Sequence, residues 1–172
     1  QRYNKGEKMG LISFFKEAGE KLFGKKVQEV QAAPAKADPA VLAEANREAA
    51  TAIENYINTL GLTVTALTVT FDGATAVAKV FGVAKDQATK EKVILAAGNV
   101  HGVAGVQDMM TVDLSQPEAT FYTVVKGNTL SKIAKEFYGN ANAYMKIFEA
   151  NKPMLSHPDK IYPGQNLRIP AE

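Results

Sequence analysis

The side chains able to do chemistry are few and scattered. The chain has two histidines, His101 in a glycine-rich run and His157 in Ser156-His157-Pro158-Asp159. Neither falls in a metal-ligand spacing or beside a nucleophile and base. There is no cysteine, which removes disulfides and thiolate metal sites. No glycine loop closing in Lys-Ser or Lys-Thr is present to cradle a phosphate. Asp72, Asp86, Asp108 and Asp113 sit where turns, caps and surface groups are expected and do not pair as hydrolytic carboxylates. No catalytic residue is assigned, and the chain is not expected to be an enzyme. The run Gly98-Asn99-Val100-His101-Gly102-Val103-Ala104-Gly105-Val106 follows a helix-forming stretch, and helix ends leave carbonyl oxygens without internal partners. Gly98 and Gly102 allow tight turns that can aim several carbonyls at one point.

The elements that would position this run follow from periodicity. Val41, Ala45, Ala49, Ala52, Ile53, Tyr56, Ile57 and Leu60 keep one helical face, closed by Gly61. Leu67, Val69 and Phe71 alternate with Thr68 and Thr70 as a half-exposed strand. Asp72-Gly73 signals a hairpin, and Ala76 to Val83 returns. Asp86 can cap a helix running through Ala97, with Val93, Ile94 and Ala97 inward and Gly98 ending it. Gly105 to Leu114 reads as a further strand. The order is α-β-β-α-β. Gln31 to Ala40 is Ala/Pro-rich and reads as a flexible connector; Ser115 to Thr120 reads as a second linker.

The last stretch, 121–172, has its own logic. Tyr122 and Val124 alternate as a short strand. Gly127-Asn128 is a turn, and Asn128 or Thr129 can cap a helix whose apolar face is Leu130, Ile133, Ala134 and Phe137. Gly139 stops that helix. Asn140 or Asn142 can cap a second helix burying Tyr144, Ile147 and Phe148, ended at Lys152-Pro153. Tyr162-Pro163-Gly164-Gln165 suits a type II turn, and Leu167 and Ile169 form a last strand. This strand–helix–helix–strand segment resembles a LysM domain along its whole length. It shares the pattern Tyr-x-Val-x-x-Gly, Thr-Leu-x-x-Ile-Ala and Pro-Gly-x-x-Leu-x-Ile-Pro, with Asn128 in place of the usual Asp.

The segment 41–114 resembles a BON domain, on Asp72-Gly73 and on Val100-x-Gly102-Val103-x-x-Val106. The chain from Met9 onward thus resembles the small bacterial potassium-binding proteins that join a BON domain to a LysM domain, an α+β architecture. The resemblance extends to Met9-Gly10-Leu11 and to Ala18-Gly19-Glu20-Lys21-Leu22. It implies a K+ site made of main-chain oxygens, from Phe15, Ala18 and Glu20 on one side and Gly98, Val100 and Val103 on the other. K+ suits such a cage because backbone carbonyls can replace its hydration shell. It also implies an ion sensor in which binding orders the segment 9–30 against the BON domain. The LysM resemblance implies an alternative, binding of N-acetylglucosamine chains such as peptidoglycan. The groove would involve Gly127, Asn128, Thr129 and Leu130 with Met154, Leu155, Lys160, Ile161 and Tyr162.

Composition limits the partners. A net charge of +2 on 172 residues with 46% hydrophobic content implies neither nucleic acid nor membrane as an obligatory partner. No apolar run reaches the length of a membrane-spanning helix. Residues 1–8 are polar and read as a leader or remnant, with Met9 a plausible start. Gly10 to Phe23 is amphipathic and carries charges at Lys16, Glu17, Glu20 and Lys21 that do not suit a secretion signal. A cytoplasmic monomer is therefore expected. Lys16, Lys21, Lys25 and Lys26 could favour an acidic membrane surface, but Glu17 and Glu20 dilute that charge, and this association ranks below the ion.

Overall fold

A computed structural model describes residues 3–4, 11–13, 19–114 and 119–171 of the chain. Two short strands, β1 (Tyr3–Asn4) and β2 (Leu11–Ser13), come first. Helix α1 (Lys25–Ala32) leads through a 3-10 turn at Pro34–Lys36 into the long α2 (Pro39–Thr59). Strands β3 (Val64–Asp72) and β4 (Val77–Asp86), helix α3 (Gln87–Gly98) and strand β5 (Gly105–Leu114) follow. The chain closes with β6 (Thr120–Thr123), α4 (Leu130–Tyr138), α5 (Tyr144–Ala150) and β7 (Asn166–Ile169). The class is α+β, and α2 to β5 keep the expected α-β-β-α-β order.

Two sheets organise these elements. One runs β2-β5-β4-β3, with β4 and β5 parallel and the other neighbours antiparallel. Helices α2 and α3 supply the apolar layer of this first unit: Ala45, Ala49, Ile53 and Ile57 of α2 meet Val93, Ile94 and Ala97 of α3 in one core with Val80, Ala84 and Val106. The other sheet runs β1-β6-β7, all antiparallel, and packs with α4 and α5 as a second unit. Its core is Tyr122, Val124, Leu130, Ile133, Ile147, Phe148, Leu155, Leu167 and Ile169.

Local chemistry sets the helix ends. Asp38, Asp86 and Thr129 each accept a backbone N–H as N-caps of α2, α3 and α4. The Thr89 N–H on Asp86 is the main reason its carboxyl is held below the usual range. Gly139 ends α4 at φ +69°, and Gly164 takes φ +87° in the turn closed by Gln165 N–H donating to Tyr162 O at 3.0 Å.

The structure departs from expectation in four places. The Ala/Pro run 31–40 is folded: Pro34 and Pro39 occupy first helical positions, where a missing N–H costs nothing, so they start helices. Leu11–Ser13, read as part of an amphipathic stretch, is an edge strand on β5. Val41 is exposed in the first turn of α2, whose buried face begins only at Ala45, and Ala50 joins that face. Tyr3 and Asn4, read within a leader, pair with Tyr122 and Phe121 of β6. Most of the second linker, 115–118, lies outside the described residues.

Candidate functional site

The run after α3 is held from three directions. Its last helical residue, Gly98, is followed by Asn99 and Val100, which meet the segment ahead of α1. Glu20 and Val100 form a parallel bridge. The Glu20 N–H donates to Asn99 O at 2.9 Å, and His101 N–H donates to Glu20 O at 2.8 Å. Within the run, Val103 N–H donates to Val100 O at 3.1 Å. A second support comes from α1 and from Phe23, two residues ahead of it. Gln31 Nε2 donates to Gly102 O at 2.6 Å, and the Phe23 ring lies beneath Gly102. Gly102 takes φ +100°, and an added Cβ would stand 3.0 Å from that ring. The turn thus requires Gly102, whereas Gly98 is the last residue of α3 and its φ is not positive.

The third support comes from the second unit. Asn99 is buried, and its side-chain amide brackets the main chain of Asn166 in β7. Asn166 N–H donates to Asn99 Oδ1 at 3.4 Å, and Asn99 Nδ2 donates to Asn166 O at 3.5 Å. On the same strand, Arg168 Nε donates to Glu91 Oε2 of α3 at 2.8 Å. Both side chains are almost wholly buried, at 10% and 5% exposure. Glu91 also accepts from Ala119 N–H at 3.1 and 3.3 Å through its two oxygens. A buried ion pair persists only where further hydrogen bonds satisfy its charges, and Ala119 supplies one. These contacts explain why α3 is buried almost all round: one side faces the sheet, another faces β7.

A cavity of about 180 Å³ opens where the three parts meet, lined by Glu20, Tyr56, Asn99, Met154, Tyr162 and Gln165 among others. Burial, and next the Glu20 carboxylate, push the Tyr56 phenol up to about 12. Tyr162 shifts upward for the same two reasons. Both rings therefore present neutral hydroxyls at neutral pH.

Of the six residues expected around the ion, Phe15 and Ala18 lie outside the described residues. Glu20 and Val100 are brought together by the bridge, and Gly98 and Val103 lie in the same short run. Among the described residues, the carbonyls of Glu20 and Val100 each accept one N–H, and a carbonyl oxygen has two lone pairs. Of the expected glycan residues, Leu130 and Leu155 are core, at 2% exposure each. Thr129 caps α4, and Asn128 shapes the turn by accepting from Tyr122 Oη and Val125 N–H. Gly127 is exposed, with its carbonyl taken by Lys132 Nζ, and Ile161 packs on the second core. Met154 packs against the first core and Tyr162 faces the junction cavity. Sequence reasoning missed Glu91, Asn99, Asn151, Asn166 and Arg168. The signal was thin: a charged residue between Leu167 and Ile169, and Glu91 on a helix otherwise rich in inward side chains.

Comparison with known proteins gives two kinds of likeness. The LysM domain family matches residues 122–170. The potassium binding protein Kbp of Escherichia coli (strain CFT073) is 43% identical over 165 residues, 95% of this chain and 100% of that protein. Other likenesses are shorter: an uncharacterised protein of Deinococcus radiodurans is 53% identical over 52 residues, 30% of this chain and 20% of the relative. An esterase of Mycobacterium tuberculosis is 36% identical over 75 residues, 41% of this chain and 16% of the esterase.

Proposed function

This chain belongs to the family of the potassium binding protein Kbp, and we propose that it binds K+ through main-chain carbonyls of Phe15, Ala18, Glu20, Gly98, Val100 and Val103. The observation that carries the reading is the Glu20–Val100 bridge, which lays the segment ahead of α1 against the run after α3. Two stretches of backbone that bring carbonyls to one place are what a large, weakly hydrated cation needs. The end of α3 adds to this. A helix C-terminus carries about half a negative charge, and Gly98 is the last residue of α3.

An ion held between the two stretches would order the segment ahead of α1 against the first unit. A ligand that binds only the ordered form shifts the population toward that form by its differential affinity. The protein would then act as a cytoplasmic K+ sensor that becomes more compact when the ion is bound. No helix among the described residues is long and apolar enough to cross a membrane.

Thermal melting tests the reading. At K+ about 100 times the dissociation constant, binding adds about 2.7 kcal/mol. For a chain of this size that raises Tm by roughly 5–10 °C over a matched NaCl buffer. Superimposable melting curves in the two salts would refute the ion reading.

The match of 122–170 to the LysM family supports a second reading, binding of N-acetylglucosamine chains. Geometry ranks it lower: Leu130 and Leu155 are core, and Tyr162 and Met154 face the first unit. A glycan would need that edge uncovered.

A further inference from the structure

We infer that Asn99 is a positioning residue that couples the ion-holding run to the LysM unit, with the Glu91–Arg168 pair as its anchor. The inference rests on the ion reading above and adds a role for the second unit within it. Asn99 stands between Gly98 and Val100, two of the carbonyl donors. Its main-chain oxygen accepts from Glu20 N–H, so it touches the segment on the far side of the ion. Its side chain points the other way and brackets the Asn166 N–H and C=O at the start of β7. One residue therefore joins all three parts. Its amide is 5% exposed residue surface, so losing its partners would leave a buried donor and acceptor unsatisfied.

Arg168 lies two residues along β7 on the same face, and its guanidinium reaches Glu91 two turns before Asn99 on α3. The pair and the amide bracket thus fix β7 along α3 at two points. Asn151 stiffens the strand from behind. Its Nδ2 donates to Ile147 O and Arg168 O, and its Oδ1 accepts from Arg168 N–H. The run after α3 can shift only if β7 shifts with it or the bracket breaks. Reciprocity follows: what the LysM unit does for the ion, the ion does for the docking of the LysM unit.

The test compares wild type, Asn99→Ala and the double variant Glu91→Gln/Arg168→Met. The double variant leaves every residue of the ion run unchanged, and it removes the two charges together so that neither is left buried alone. K+ affinity is measured by calorimetric titration, and amide hydrogen exchange of 166–169 is measured in KCl and in NaCl. Coupling predicts that both variants bind K+ about tenfold more weakly. It also predicts that K+ slows exchange in β7 of wild type and no longer does so in either variant. If the variants bind K+ as wild type does and β7 still responds to K+, the coupling is wrong while the ion reading stands. If wild type itself takes up no K+, the ion reading fails and the coupling falls with it. Should Asn99→Ala not fold, the double variant decides alone.

Discussion

Asn151 shows how one side chain can fix a strand. It is 1% exposed and satisfies both main-chain groups of Arg168 while tying them to α5. Replacing it by Ala strands a buried N–H and a buried C=O, each costing about 1–3 kcal/mol. We expect Asn151→Ala to lower the urea-unfolding free energy of the protein by about 3 kcal/mol. A loss below the error of the fit would show that β7 is held by other means. Periodicity and capping assign this Asn no role. Nothing in its neighbours says that its amide reaches residue 168, because that pairing spans 17 positions. Capping residues were easier to read. Asp86 and Thr129 act on backbone N–H groups three residues away, and such local chemistry is written in spacing.

At the scale of elements, the turn after α3 carries the most specific demand. Gly102 adopts φ +100° above the Phe23 ring, and Gln31 holds its carbonyl. Ala at this position meets both a strained backbone and a ring at 3.0 Å. Gly102→Ala should destabilise the protein by about 2–3 kcal/mol and weaken the response of Tm to K+ more than it weakens folding in Na+. An unchanged K+ response in a destabilised variant would separate the turn from the ion. Element order was legible here because apolar periodicity and caps agree with each other, as in Gly105–Leu114 and in Leu130, Ile133 and Ala134. The run 31–40 was misread because Pro signals a break in the chain's interior but a start at the first turn of a helix. Only the neighbouring helices decide which, and Asp38 ahead of Pro39 was the available clue.

At the scale of the whole molecule, the two units meet through polar groups of high consequence. The Glu91–Arg168 pair joins residues 77 positions apart, and Asn99 meets Asn166 across 67. No periodicity encodes such contacts, so the glycine-rich run after α3 was legible in the sequence while its attachment to the LysM unit was not. The main-chain character of the proposed cage has the same consequence. Carbonyls exist at every residue, and only the path of the backbone selects those that converge. The Glu20–Val100 bridge brings two of the proposed donor residues side by side. The most direct measurement is a calorimetric titration of the desalted protein with KCl, set against NaCl at equal ionic strength. Saturable heat is expected with K+ and none with Na+; identical, featureless traces for the two salts would contradict a specific K+ site.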